Sequence, residues 1–511
     1  MNEICAKKSA CPRCCDSSIL YDGVLLAVCI AFGVWVAQLR LVSRDEGFYT
    51  YAAYLVSLGR APYGSFFYPQ MPILPYFYAA LGSLVGQSWF GYRIGAGCLF
   101  GGILFVSYQI IHRRLGRSWG TFGILVLAAC HLSFAWFPLV QTYSLSVFLC
   151  LVSFYFVARD EQSYCSSALA GVFISLSVGA RLFFAPVALC VLLSYLVRQR
   201  RQFFVSFLLG ATLGAVPVAF FCFSDFQTFW FNNLGYHLAR SHQDGAAEAL
   251  NKWRVFEVLF SLGRPSEKFS GFQTPLLFLG MFLSFLFLAR RYREVLMSGL
   301  FGTLIFAVSF LPSPTYVQYF AAVAPFATIA TIFLAHHIFH AHHRVARVFG
   351  RGILIVCMIV YFFHVSGDFE RYTKTGQGVI GIGGPAGAAE WNLHRLAKVQ
   401  ALVLQLTSPS DLIFPLWPGY VVGLDRQVLL GSENHFGPRA ADGLSGEERS
   451  RYRVKGVDDF GMSIRSGDVD VVIGYRRAFR REYKSALKSN NYQKVPLLGA
   501  VEGWKKPRSQ P

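Results

Sequence analysis

Acidic side chains are scarce in this chain of 511 residues, with 28 Asp and Glu set against 47 Lys and Arg. No phosphate-binding P-loop, dinucleotide fingerprint or His-Glu-x-x-His motif occurs, which argues against the commonest nucleotide- and zinc-dependent enzymes. The net charge of +19 comes without any RNA- or DNA-binding motif, so it does not read as a nucleic-acid footprint. No internal repeat or inverted hydropathy symmetry stands out, which weighs against a secondary transporter. Asn-x-Ser/Thr sequons are absent, which leans toward a bacterial source. From residue 366 onward there is no cysteine, so no disulfide framework is expected there. Cys5, Cys11, Cys14 and Cys15 crowd the N-terminal tail; they read as reduced thiols of a cytoplasmic tail, with a zinc site as the alternative.

Apolar residues make up 54 % of the chain and gather in long runs. A bilayer crossing takes about 20 apolar residues, so the chain reads as a polytopic, mostly α-helical membrane protein. Eleven spans are predicted, at 23–42, 92–111, 119–137, 141–157, 166–180, 182–197, 203–223, 275–289, 295–311, 317–335 and 353–365. The first reads as a retained anchor rather than a cleaved signal peptide. Every even-numbered connection is basic, as at Arg113, Arg114 and Arg117 or Arg290, Arg291 and Arg293. Cationic loops stay cytoplasmic, so the N-terminus is expected inside and the segment after the last span outside. The His-rich run at 336–343 then falls on the cytoplasmic side and reads as a basic helix end.

The predicted organisation is a tail (1–22), a transmembrane domain (23–365) with outer loops at 43–91 and 224–273, a Gly-rich linker (366–387) and an extracytoplasmic α/β domain (388–511). In the second outer loop, apolar residues at helical spacing suit surface helices. In the terminal domain, helices are predicted at 388–406 and 477–490 and β runs at 411–414 and 469–474. With 21 Lys and Arg to 15 Asp and Glu from residue 366 on, this domain suits a surface near anionic lipid.

The stretch 44–78 stands out. Adjacent acids at Asp45 and Glu46 follow the first span, where desolvation makes charge costly. They are either a helix-capping pair or a catalytic one. Tyr49, Tyr68 and Gln70 then belong to an aromatic, proline-broken segment suited to a membrane interface or a sugar platform. Arg181 interrupts an apolar hairpin on the outer side. His237 and Arg240 lie three residues apart on one helical face. Arg93 caps the second span, and Tyr316, Gln318 and Tyr319 begin the tenth. In the terminal domain, Trp417, Tyr420, Glu433, Asn434 and His435 are candidate acceptor contacts or a loop packed beside the sheet.

The run Asp45-Glu-Gly-Phe-Tyr through Gly59-Arg-Ala-Pro-Tyr-Gly-Ser-Phe-Phe-Tyr-Pro-Gln-Met-Pro-Ile-Leu-Pro-Tyr resembles the first outer loop of GT-C membrane glycosyltransferases. The likeness is to family-39-like bacterial enzymes, related to protein O-mannosyltransferases and the lipid A aminoarabinose transferase. It implies a GT-C fold with Asp45 as general base and Glu46 as its partner. The donor would be a polyprenyl-phosphate sugar. The expected reaction is an inverting transfer at the periplasmic face of a bacterial inner membrane, to a cell-envelope glycan, lipid or protein.

Such a transfer needs a carboxylate for the acceptor proton, cations for the departing phosphate and an apolar groove for the lipid. Asp45 and Glu46 supply the first. Arg181, His237, Arg240 and Arg93 are the candidate phosphate binders. Tyr49, Tyr68, Gln70, Tyr316, Gln318 and Tyr319 are the candidate sugar or acceptor contacts. Relatives often carry a second acid at the outer end of the fourth span, where this chain has Gln141 and Thr142, so no dedicated metal site or cofactor is expected. A flippase of lipid-linked glycans and a non-catalytic envelope-assembly protein are the alternatives.

Overall fold

The structure is a computed structural model that describes residues 12–197, 201–240, 245–262 and 272–507. Cys5 and Cys11 of the tail cluster lie outside the described residues.

Helix α1 (Pro12–Leu39) leads into the outer loop, where α2 (Glu46–Ser57) and α3 (Ile73–Val85) precede the long α4 (Trp89–Leu115). Ser88 caps α4 by accepting from the Gly91 amide. Helices α1 and α4 pack closely because Gly33, Gly97 and Gly101 strip side chains from the contact; a Cβ at Gly97 would strike the Val34 backbone. The predicted third span is interrupted at Cys130, dividing it into α5 (Arg117–Ala129) and α6 (His131–Trp136). Then come α7 (Thr142–Val157), α8 (Tyr164–Ala180), α9 (Ala185–Val197) and α10 (Arg201–Ser224). The turn between α8 and α9 falls at Arg181, which has extended backbone. Glycines 171, 210 and 214 repeat the close approach between α8 and α10.

The second outer segment folds as α11 (Phe226–Trp230), a π-helical turn (Phe231–Gly235), α12 (Tyr236–Arg240) and α13 (Gly245–Leu259). Three apolar helices follow, α14 (Gln273–Leu288), α15 (Arg293–Ser309) and α16 (Ala324–Phe339), the last entered through a 3-10 turn (Val317–Val323). Helix α17 (Arg344–Phe363) starts earlier than the predicted span and leaves most of its apolar side chains exposed. Among the described residues, five helical stretches are long and apolar enough to cross a bilayer: Ile19–Leu39, Trp89–Leu115, Gln202–Ser224, Val317–Phe339 and Arg344–Thr375. The other apolar helices are shorter, including α3, which lies inside the segment predicted as a loop. His336 and His340, from the His-rich run, pack their rings against Trp119.

Among its described residues the terminal domain holds five strands: β1 (Leu412–Pro415), β2 (Gln427–Val428), β3 (Val471–Tyr475), β4 (Gln493–Leu498) and β5 (Val501–Lys505). Their order is β2-β1-β3-β5-β4, with β1 parallel to β2 and β3, and β5 antiparallel to β3 and β4. Strands β1 and β3 match the predicted runs; β2, β4 and β5 were not foreseen. In β1 and β3, Ile413, Val471 and Ile473 face a core shared with the outer loop, while Phe414 and Val472 face a second core around Phe460 and Leu487. Both faces are covered, which is why these strands read as unbroken apolar runs. The helix predicted at 388–406 is broken at Trp391, and Asn392 caps its second part by accepting from the Arg395 amide.

The Gly-rich segment between the two parts is folded rather than loose. Gly376, Gly378, Gly381 and Gly383 all have φ between 62° and 84°, a region that disfavours a Cβ.

Candidate active site

Asp45 and Glu46, adjacent in sequence, meet different surroundings. Glu46 opens α2 and is fully buried against Arg93 from α4. Arg93 Nε donates to Glu46 Oε1 at 2.6 Å and Nη2 to Oε2 at 2.7 Å, a bidentate pair. The remaining Arg93 donors go to the carbonyls of Ala37, Arg40 and Leu41 at the end of the first helix. Glu46 accepts two further bonds, from the amides of Ser43 and Val140. The pair therefore pins α1, α2, α4 and the turn before α7 to one another. This revises two expectations. Arg93 has no donor to spare for phosphate, and Glu46 has no open lone pair to take a proton. Both fix the start of α2, the residue after Asp45.

Asp45 instead lines a cavity of about 680 Å³. Tyr49, Gln70, Arg181, His237, Tyr316, Gln318 and Tyr319 line it too. Residues from both outer segments, the α8–α9 turn and the entry to α16 thus converge with Asp45. Gln318 Nε2 reaches Asp45 Oδ2 at 3.4 Å. Tyr49 and Tyr143 each lie within electrostatic reach of both Asp45 and Arg181.

Arg181 is buried, 6 % exposed, and among the described residues it has no carboxylate partner. Its Nη1 donates to Thr142 Oγ1 at 2.6 Å and its Nη2 to the Tyr143 hydroxyl at 3.1 Å, while Nε has no acceptor. The guanidinium lies 4.1 Å from the Tyr143 ring centre and 4.3 Å from that of Phe183. Thr142, in the turn where the resemblance led one to expect an acid at Gln141 or Thr142, offers Arg181 a hydroxyl instead. A carboxylate there would neutralise Arg181; a hydroxyl orients the cation and leaves its charge for an anion. An unpaired buried charge is costly, so this arrangement favours an anionic guest.

The other expected residues are placed less simply. His237 Nε2 donates to the Pro69 carbonyl at 3.0 Å, tying α12 to the first outer loop. That commits the ring's Nε2–H, so His237 acts in shaping the wall rather than in offering this proton to phosphate. The side chain of Arg240 lies outside the described residues. Tyr68 is fully buried beneath Phe48 and Tyr49 and does not reach the cavity, contrary to expectation.

The terminal-domain loop docks onto the first outer loop. Trp417 Nε1 donates to the Arg44 carbonyl at 2.7 Å, and Trp89 Nε1 donates to the Gly419 carbonyl at 2.9 Å. Glu433 pairs with Arg60 at 2.9 Å. Burial pushes the Glu433 carboxyl above its ordinary pKa, and Arg60 only partly opposes this. His435 sits against Phe48 and Phe436, and burial reinforced by nearby Arg44 lowers its pKa to about 3. Trp417, Tyr420 and Glu433 are thus packing residues, the alternative weighed from sequence.

Among the contributors to the cavity that sequence reasoning missed are Arg44, Arg439, Phe436 and the linker's Ile380 and Gly381. Only Arg44 carried a signal, as the cation next to Asp45.

Apolar helices, a cavity that pairs a carboxylate with a buried cation, and a small mixed sheet packed against the first loop define the fold of this chain. The chain is similar in structure to ArnT, the lipid A aminoarabinose transferase, from Cupriavidus metallidurans. Against the crystal structure bound to undecaprenyl phosphate the TM-score is 0.66 at 13 % identity, covering 96 % of this chain and 98 % of that one. Against the apo structure the TM-score is 0.65 at 11 % identity, with the same coverage. No protein-family model and no curated protein matches the sequence. At this identity it is the fold that is shared.

Proposed function

We propose that this chain is a membrane glycosyltransferase that moves a sugar from a polyprenyl-phosphate donor to a cell-envelope glycan, lipid or protein, with inversion at the anomeric carbon. The observation that carries the reading is Arg181: a buried cation with only hydroxyl partners, lining the same cavity as Asp45. The ArnT relative of the same fold binds undecaprenyl phosphate, which supports the donor class.

In this mechanism the acceptor hydroxyl lies against Asp45, which takes its proton as the oxygen attacks the anomeric carbon. The bond between that carbon and the phosphate oxygen breaks, and its electron pair leaves with the polyprenyl phosphate. Arg181 stabilises the charge that builds on the phosphate, with its fork held by Thr142 and Tyr143. Gln318 steadies Asp45, and Tyr49, Gln70, Tyr316 and Tyr319 surround the sugar. Leu182, Phe183, Pro186, Leu234, Leu238 and Leu311 give the cavity an apolar side suited to the first isoprene units.

The accompanying placement is eleven crossings in a bacterial inner membrane, with the N-terminus cytoplasmic and the cavity and terminal domain periplasmic. The alternation of basic loops supports it. The test is turnover of labelled polyprenyl-phosphate sugars by the purified full chain and its Asp45→Asn variant. Loss of a general base lowers the rate by about 10²–10⁴-fold. Absence of turnover with every donor, or an undiminished rate in the variant, refutes the proposal.

A further inference from the structure

Among the described residues, three arginines line the cavity, and they differ in setting. Arg181 is buried, whereas Arg44 and Arg439 are exposed and so mark the mouth. Arg44 is the residue before Asp45. Its guanidinium lies 5.3 Å from the Trp391 ring centre, and its backbone carbonyl is tied to Trp417. Gly381, with φ of +83°, brings the linker against its stem; a Cβ there would stand 3.5 Å from Arg44 Cδ. Arg439 comes from the terminal domain, on a short helix (Gly437–Ala440) that packs beside α12.

Among the described residues, neither guanidinium has a carboxylate partner or a hydrogen bond. Some nearby arginines do: Arg60 pairs with Glu433, Arg395 with Glu390, Arg449 with Asp459 and Arg451 with Asp225. Two arginines without an acidic partner among the described residues therefore line one cavity, one from each part of the chain. Guanidinium groups in that state suit a phosphate or carboxylate, which they can grip bidentately.

We propose that Arg44 and Arg439 form a second anion site at the cavity mouth, which takes a phosphate or carboxylate group of the acceptor. The proposal rests on the glycosyltransferase reading and narrows it. A hydroxyl activated by Asp45 belongs to a molecule whose neighbouring groups lie beside Arg44, while the donor phosphate has Arg181. The acceptor is thus an anionic glycan or glycolipid rather than a neutral one, and the terminal domain selects it through Arg439.

The experiment uses the full chain in detergent, titrated with N-acetylglucosamine, glucosamine 1-phosphate and glucuronate, and separately with undecaprenyl phosphate. The charged sugars are expected to bind at least about tenfold tighter than the neutral one, as charge-assisted bonds imply. Arg439→Gln and Arg44→Gln should each remove most of that preference, and Arg439→Lys should restore part of it. Undecaprenyl phosphate should bind the variants as it binds wild type. Whichever charged sugar binds tighter identifies the anionic group. Equal affinity for charged and neutral sugars, or charged-sugar binding unaltered by Arg439→Gln, overturns the proposal. If undecaprenyl phosphate fails to bind wild type while the Arg439-dependent preference is present, the donor reading fails and the anion site stands.

Discussion

Replacing Arg93 by Met tests whether the Glu46–Arg93 pair holds the site together. The substitution removes both arms of a bidentate pair, at 2.6 and 2.7 Å, and strands a carboxylate that has no solvent exposure. It also takes the donor from the carbonyls of Ala37, Arg40 and Leu41. The amides of Ser43 and Val140 remain on Glu46 but do not balance its charge. Breaking a buried pair by removing one partner costs about 3–5 kcal/mol. Glu46→Gln should cost a similar amount, since it leaves Arg93 charged and buried. The double variant should cost less than the sum, with a coupling of about 0.5–3 kcal/mol. Denaturant titration of the four proteins in detergent gives all of these values. Turnover should fall with stability, because Asp45 immediately precedes Glu46 in the chain. A single-variant cost below about 1 kcal/mol, the range of an exposed pair, would refute the reasoning.

Three further outcomes are expected. Arg181→Met should lower undecaprenyl-phosphate binding by at least about tenfold, the worth of a charge-assisted contact, without the stability loss of Arg93→Met, because no acid is left unpaired. Thr142→Asp should weaken binding similarly by supplying Arg181 with an internal counter-ion; unchanged binding in both variants would remove Arg181 from the donor site. Acid should loosen the terminal domain. His435 titrates near 6.5 when unfolded but is lowered to about 3 in the fold, so its contribution is present above pH 6.5 and lost as pH falls toward 3. The loss is at most about 1.4 kcal/mol per pH unit. Glu433, raised by burial, contributes in the opposite sense, stabilising at low pH, so it does not mimic the effect. Limited proteolysis of the domain across this range should show less acid sensitivity in His435→Phe, and identical profiles would count against the assignment.

Much of this protein follows from the linear chain. Apolar runs determine most of the helices, since burying an apolar segment of sufficient length leaves the helix as the way to satisfy its backbone groups. The acids after the first span and the lone Arg181 in an apolar hairpin were conspicuous because charge in such places is costly. What the linear chain could not decide was the direction of each side chain. Asp45 and Glu46 are equivalent as text, yet the start of α2 turns one toward the cavity and the other into the grip of Arg93, 47 positions away. Trp417 and Glu433 looked as fit for ligand as for packing until the sheet brought them onto the first outer loop. Arg439, nearly 400 residues from Arg44, joins the same mouth only because the terminal domain docks there. Composition and hydropathy act locally and survive in a sequence. Partnership between distant charges depends on which surfaces meet, and only the tertiary structure determines that.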